Sequence, residues 1–288
     1  MIKDIYYQRG APDPVLEKEF VLDIVRQYVP GAKKVTDIDE TGGEARTYAI
    51  DNNIILKVQR PQQLRLSTSL EREAFFLKQL AKYDTDNISV PEVLGYGKRE
   101  SAEYTCMTRM PGIAVRYSNI SGEQRDKMLF ELGKTLFLIH SIDIKPFYES
   151  GLFPDIDKNT DDVKERLKVH FDRGLYNISD KLTQTEINKA NNIAAEELNK
   201  ITGVCIVPCH SNPSATHTFV KSNNRFSGLI DFGDAYISHP VFDLRRWAIS
   251  DRKPLTEGYI SAGKTDEKFT VVWDVLNKLD NLLEDLSK

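Results

Sequence analysis

CHSNPSATHTFV at 209–220, followed after a turn by FSGLIDFGDAYISHPVFDLRRW at 226–247, is the most specific stretch of this 288-residue sequence. Its loop, 209–217, gathers two histidines, an asparagine and a proline between an apolar run, Val204 to Val207, and a short strand at Phe219 and Val220. A second short strand, Gly228 to Ile230, runs straight into Asp231-Phe232-Gly233. A carboxylate at the end of an apolar strand emerges at a surface, where it is suited to holding the Mg²⁺ carried by ATP. Asn212 and Asp231 are 19 positions apart, enough for a loop and a hairpin.

Toward the N-terminus, NIILKV at 53–58 sets Lys57 among Ile54, Ile55, Leu56 and Val58 in a strand. A lysine there commonly extends its stem and leaves its ammonium in water. LEREAFFLKQL at 70–80 reads as a helix on which Leu70, Glu73, Leu77 and Leu80 share one face. A carboxylate in that apolar stripe is costly unless a partner satisfies it. Lys57 is the nearest upstream cation with a comparable problem, and a strand lysine paired with a helix glutamate is an arrangement that holds ATP phosphates. Between the first strands lies DETGGEARTY at 39–48. Gly42 and Gly43 permit close backbone approach to a phosphate and equally suit a plain hairpin turn. The order GxxxxGK[ST] is missing, which excludes a Walker-type loop.

The surrounding elements fall into two groups. An amphipathic helix over 13–29, strands at 34–38, 46–50 and 54–58, a helix over 68–83, and strands at 90–96 and 104–107 predict a small β-rich lobe. It ends at the break Met110-Pro111-Gly112. Helices then dominate, at 122–141, 161–175 and 183–200, and in a last helix with Val272, Val275, Leu276, Leu279, Leu282 and Leu283 as its stripe. The expected fold class is α+β with two lobes, 1–106 and 107–288, and a cleft at the hinge near 106–112.

Hydrophobic residues make up 40% and charged residues 28%, which supplies a core and excludes disorder. With 39 basic and 43 acidic residues the net charge is −4, which argues against a nucleic-acid partner, whose phosphates need a basic surface. Three cysteines in a chain too long to need stapling favour free thiols and a reducing cytoplasm. MIKDIYYQRGAPDPVLEKEF at 1–20 lacks the apolar run of a secretory signal. No stretch approaches the ~18 uninterrupted apolar residues of a membrane span. The expectation is a cytoplasmic protein without a membrane partner.

Taken in order, Lys57, Glu73, His210, Asp231 and Asp243 make the sequence resemble the aminoglycoside phosphotransferase family, the antibiotic- and metabolite-kinase relatives of protein kinases. The resemblance covers nearly the whole chain, through LKV at 56–58, LEREAFFLKQL, PEVLGYG at 91–97 and the hinge stretch CMTRMPG at 106–112. It continues in LFLIHSID at 136–143, the loop from His210, IDFGDA at 230–235 and HPVFDLRRW at 239–247. It implies a protein-kinase-like two-lobe fold and transfer of the γ-phosphoryl group of Mg²⁺-bound ATP or GTP to a hydroxyl of a small molecule. That acceptor would be an aminoglycoside, a macrolide or a metabolite. By the resemblance Lys57 contacts phosphates and Glu73 orients it, and Gly42 and Gly43 remain the candidate cofactor-binding glycines of the preceding loop. Backbone from Met107 through Thr108 to Met110 meets the base, and Asp231 ligates Mg²⁺. His210 supports the catalytic loop and Asp243 braces it. Residues 1–106 become the nucleotide-binding lobe; 107–288 carry the catalytic loop and the acceptor site.

Two positions depart from the family's HGDLHPGN loop. Asn212 stands where an aspartate meets the attacking hydroxyl, and His217 where an asparagine holds metal. Histidine at the second position is similar to the macrolide phosphotransferases. Neutral imidazole can ligate a metal, although Mg²⁺ prefers oxygen. A carboxamide accepts no proton at neutral pH but can position a hydroxyl. Because the transition state is loose, positioning and electrostatics carry most of the catalysis. General-base help is typically ~10²–10⁴-fold. Three readings of Asn212 follow: a slow kinase, a nucleotide-binding pseudokinase-like module with little or no transfer, or an Asp→Asn change peculiar to this chain. Asp243 follows Asp231 by only 12 positions, which leaves no room for a long activation segment and disfavours a protein substrate.

Other reactive residue types have plainer readings. Cys205, Cys209, His210 and His217 resemble a zinc spacing, but Cys205 lies in an apolar strand, and Cys209 and His210 point apart if extended. His140 reads as a helix-end histidine packing or bonding to backbone. His239 sits in a turn before Pro240, and His170 is solvated on a charged helix. Asp234 reads as a local cap. Arg245, Arg246 and Trp247 read as packing plus surface charge, and the acidic tail 280–285 as a solvated helix face.

Overall fold

In chain order the elements are α1 (Lys18–Val25), β1 (Val35–Asp39), β2 (Ala45–Ile50), β3 (Ile54–Gln59), α2 (Ser69–Leu80), β4 (Val93–Arg99), β5 (Ala102–Thr108) and β6 (Ile113–Ala114). There follow α3 (Gly122–His140), α4 (Lys145–Ser150), α5 (Thr160–Ile178), α6 (Gln184–Asn199), β7 (Val207–Cys209), β8 (Thr218–Val220) and β9 (Phe226–Leu229). The chain closes with β10 (Tyr236–Ser238), α7 (Val241–Leu244), α8 (Arg252–Ser261) and α9 (Glu267–Leu286). The structure, a computed structural model, describes residues 11–61, 68–83, 88–100, 102–153 and 155–288. Residues 1–10, part of the stretch read above for a secretory signal, lie outside the described residues. No helix among the described residues is long and apolar enough to cross a membrane.

The described residues pack as two compact units. The first takes 11–124 with Lys145–Phe153 and His210–Ala235, and the second takes Arg125–Ile144, 155–209 and Tyr236–Lys288. In the first unit an antiparallel sheet runs in the order β1-β2-β3-β5-β4. Ile54, Leu56 and Val58 of β3 are buried against Val21, Leu22, Ile24 and Val25 of α1. Side chains alternate along a strand, so Ile55 and Lys57 take the opposite face. Thr68 caps α2, its hydroxyl accepting the Glu71 N–H at 3.3 Å. That helix buries Leu70, Glu73, Phe76, Leu77 and Leu80. The Phe76 ring meets Phe147 of α4 and Phe232, each at 5.0 Å between centroids. A small sheet, β6-β8-β9, carries the 209–217 loop into β8 and delivers Asp231 just after β9.

The boundaries that differ from the sequence expectation do so for tertiary reasons. The opening helix contracts to Lys18–Val25 because Asp13 and the Pro14 carbonyl are bonded to Arg46 of β2 instead. The strand expected at 90–96 forms at Val93–Arg99, past Pro91, which has no N–H to give a ladder. The strand expected at 204–207 forms at Val207–Cys209, where β10 pairs with it.

In the second unit α5, α6 and α9 pack on one another. Val272, Val275, Leu276 and Leu279 of α9 are buried as expected, with Phe269 and Trp273, whereas Leu282 and Leu283 are half-buried. Helices α3 and α8 meet main chain to main chain. A Cβ at Gly133 would fall 2.0 Å from the Leu255 carbonyl, and one at Gly258 would fall 2.0 Å from the Phe130 carbonyl. His140, at the end of α3, bonds side chains rather than backbone. Its Nε2–H donates to Asp243 Oδ2 at 2.9 Å, and its Nδ1 accepts from Tyr259 Oη at 3.1 Å. His170 is likewise tied down, between Asp280 Oδ1 at 2.7 Å and Arg245 Nη1 at 3.1 Å, rather than solvated. Cys209 is buried near His140 and Asp243, and burial pushes its thiol well above the ordinary value. All three cysteines are free.

His239 is fully buried, its ring stacked 6.1 Å from Phe269. Nδ1 accepts the Val241 N–H at 3.4 Å, and Nε2 has no partner among the described residues. Burial, with His140 nearby, pulls its pKa from 6.5 to about 3.

Gly133→Ala is expected to destabilise the protein by roughly 1–3 kcal/mol despite the gain in helix propensity, since a peptide oxygen cannot swing aside. Gly174→Ala, whose new Cβ would meet only the rotatable Leu283 side chain, should cost less. Urea unfolding of the two variants checks the contrast. For His239 the unfolded chain takes up a proton between pH 6.5 and about 3 that the folded chain refuses, so stability is lost as pH falls through that window. His239→Asn keeps an acceptor for Val241 and cannot titrate. The pH slope of unfolding free energy should therefore flatten, by at most ~1.4 kcal/mol per pH unit. Equal slopes in both proteins would show that the imidazole is not buried neutral.

Candidate functional site

Lys57 emerges on the sheet face opposite the core, and Glu73 emerges on the apolar stripe of α2. They meet: Lys57 Nζ donates to both Glu73 carboxylate oxygens, at 2.8 and 2.9 Å, and to Asp231 Oδ1 at 3.0 Å. Burial pulls the Lys57 pKa down, but the Asp231 and Glu73 carboxylates outweigh it and leave the ammonium above the ordinary lysine value. Burial lifts Glu73, which is 1% exposed, against the pull of Lys57. The Phe232 N–H, at 3.3 Å from Glu73 Oε1, is a further donor to it. Lys57 holds Asp231 well below the usual carboxylate range against the effect of burial.

Two residues of this region, Ser211 at φ 85° and Asp231 at φ 74°, adopt the left-handed backbone that non-glycine residues rarely enter. Such conformations persist when their surroundings over-determine them. His210 is the tie. The Asn212 N–H donates to His210 Nδ1 at 3.1 Å, which puts the ring proton on Nε2, and Nε2–H donates to the Ile230 carbonyl at 2.9 Å. One buried neutral ring thus joins the start of the loop to the residue before Asp231, while packing 4.4 Å from Phe232.

His217 has the opposite tautomer. Its Nδ1 lies 2.9 Å from the Asn212 carbonyl and must donate to it. Nε2 then turns its lone pair toward Asp231 Oδ2, 3.2 Å away. Two acceptors at that distance need a proton or a cation between them. One nitrogen and one carboxylate oxygen are donors that a divalent cation accepts, so these residues fit the expected metal.

Two adjoining cavities of about 240 and 390 Å³ lie on these residues and share Lys57, Glu73, Asp39, Thr47, Phe219 and Ile230. Met107, Thr108 and Met110 line the smaller one; Gly42, Gly43, His217 and Asp231 line the larger. In the 107–110 stretch the Thr108 N–H donates to Glu92 O and the Arg109 N–H to Asn53 O, whereas the Met110 N–H has no partner among the described residues. His210 and Asn212 line neither cavity. Both backbone groups of Asn212 are used inside the loop, and its half-buried carboxamide makes no hydrogen bond among the described residues. Asp243 belongs to the second unit, where it accepts from His140. The zinc spacing does not gather: among the described residues the group that could hold a metal is Cys209 with His140 and Asp243. Asp39, Thr47, Tyr117 and Thr216 also line the cavities; the first two and Thr216 lie in the stretches quoted above without being singled out there, and no motif marks Tyr117.

A model of the phosphotransferase enzyme family, APH, matches residues 38–270. The chain is similar in fold to the GDP complex of wild-type aminoglycoside 2'-phosphotransferase-IIIa, with 14% identity over 94% of this chain and 92% of that one and a TM-score of 0.60. It is similar to the streptomycin-ATP-APH(2")-IIa ternary complex, with 17% identity over 94% and 92% of the two chains and a TM-score of 0.57. Macrolide 2'-phosphotransferase MphH from Brachybacterium faecium is comparable, with 15% identity over 93% and 92% and a TM-score of 0.60. Matched from β1 into α9, and α+β with its sheet toward the N-terminus and its helices toward the C-terminus, the chain belongs to the phosphotransferase enzyme family and has its protein-kinase-like fold.

Proposed function

We propose that this protein moves the γ-phosphoryl group of a Mg²⁺-bound nucleoside triphosphate, ATP or GTP, to a hydroxyl of a small molecule such as an aminoglycoside, a macrolide or a metabolite. The observation that carries the reading is the Lys57 ammonium, bonded to Glu73 and Asp231 on the wall of a cavity that Gly42 and Gly43 also line. The nucleotides named with the similar structures support it further. In this reading residues 1–106 supply the nucleotide clamp, and 107–288 supply the catalytic loop and the acceptor side.

Each residue then has a task its chemistry suits. The free Met110 N–H, with the backbone of Met107 and Thr108, meets the edge of the base. Lys57 binds phosphate oxygens, and Glu73 keeps it aimed. Asp231 and His217 would hold the cation, which when bound neutralises charge on the phosphate oxygens. His210 is a positioning residue, since it fixes Asn212 and Asp231 without reaching a cavity. Asn212 offers its free carboxamide to the acceptor hydroxyl. It orients that hydroxyl and takes no proton from it, so positioning and electrostatics carry the transfer and general-base help is missing. Three free cysteines suit a reducing cytoplasm.

Titration calorimetry with Mg·ATP and Mg·GTP tests the clamp. Lys57→Ala should weaken nucleotide binding by about tenfold or more, the loss of a charge-assisted phosphate contact. If neither nucleotide binds the natural chain, the reading is wrong. Nucleotide consumption over aminoglycosides, macrolides and amino sugars tests transfer. Asn212→Asp should leave nucleotide affinity within about twofold and raise turnover by ~10²-fold or more. Turnover seen only in that variant would make the natural chain a nucleotide-binding module.

A further inference from the structure

The glycine loop is held by the arginine that follows β3. Arg60, the residue after β3, uses each arm of its guanidinium. Nε donates to the Gly42 carbonyl at 2.9 Å, Nη2 to the Glu40 carbonyl at 2.6 Å, and Nη1 to Asp13 Oδ2 at 2.5 Å. Its own N–H donates to Glu44 O at 2.8 Å. Asp13, ahead of α1, gives its other oxygen to Arg46 Nη1 at 3.0 Å, and Arg46 also reaches Glu40 Oε2 at 3.3 Å. The Asp13 and Arg60 side chains are only 13% and 15% exposed. Inside the loop, Asp39 Oδ1 accepts both the N–H and the hydroxyl of Thr41.

The geometry has a direct consequence for Gly43. A trans peptide is planar, with its C=O and the following N–H pointing opposite ways. Fixing the Gly42 carbonyl on Arg60 therefore turns the Gly43 N–H away from Arg60. That N–H has no hydrogen-bond partner among the described residues, and Gly43 lines the larger cavity. A fixed, unpartnered amide is an anion donor that needs no reorganisation when a phosphate arrives. We propose that Arg60 and Asp13 are positioning residues for the nucleotide: they strap the 40–44 loop so that the Gly43 amide is presented to a phosphate oxygen. This rests on the nucleotide reading above. Arg60 acts through the loop and not as a phosphate ligand, because it lines neither cavity.

The test sets shape against charge. Asp13→Asn removes a negative charge near the loop, so net electrostatics alone would strengthen nucleotide binding; the strap model requires it to weaken. Arg60→Lys keeps the charge and loses the fork. In the full chain, Asp13→Asn, Arg60→Lys and Arg60→Ala are each expected to weaken Mg·ATP or Mg·GTP binding about 5- to 20-fold in calorimetry. Amide exchange over 40–45 should quicken, while the melting temperature holds within a few degrees. Where transfer is measurable, nucleotide KM should rise more than kcat falls. The double variant Asp13→Asn/Arg60→Ala should be no worse than Arg60→Ala alone. Unchanged or tighter binding in Asp13→Asn and Arg60→Lys, or losses that add, would overturn the strap while nucleotide binding by the natural chain stands. Absence of nucleotide binding by the natural chain would instead sink the functional reading and the strap with it.

Discussion

A buried ammonium shared by two carboxylates is the constraint on which the first unit depends. Burial disfavours the charge on Lys57, and the apolar face of α2 disfavours a carboxylate at Glu73. Each solves the other's problem, and together they fix α2 against β3. Asp231 adds a second carboxylate to the single ammonium. It is the member that reaches solvent, with 43% of its side chain exposed. That carboxylate thus sits where a cation can meet it, opposite the lone pair of His217.

The second constraint is conformational. Ser211 and Asp231 occupy backbone that would relax to commoner values without support, and each such residue costs of order 1–3 kcal/mol. His210 supplies much of that support with two hydrogen bonds from one ring, and Phe232 packs it from below. The two histidines of the loop differ in tautomer for a local reason. His210 receives a backbone N–H at Nδ1, whereas His217 faces a backbone carbonyl there. Residue type alone does not reveal that division of labour.

The sequence carried the parts of the site that follow from periodicity. Glu73 was legible because three- and four-residue spacing forces it onto an apolar face, and Lys57 because it breaks a run of aliphatic strand residues. Asp231 was legible as a strand end. What stayed hidden depends on partners distant in the chain. The position of β7 is set by β10, which no pattern announces. The grip of Arg60 on the glycine loop needs Asp13, 47 positions earlier. His140 reads as an ordinary helix-end residue until α7 and α8 supply Asp243 and Tyr259, and the free Met110 amide is defined by which neighbouring amides are already taken.

The crossing of α3 and α8 has a different kind of consequence. Since Gly133 and Gly258 let peptide oxygen meet α-carbon, the spacing of the two axes is set by main-chain atoms and not by side-chain volume. Residues on the outward faces of both helices can be exchanged for larger or smaller ones without moving the axes. The fold therefore separates where these helices lie from what they display. The main-chain part of the contact is sensitive at two positions, Gly133 and Gly258, where a Cβ would meet a peptide oxygen.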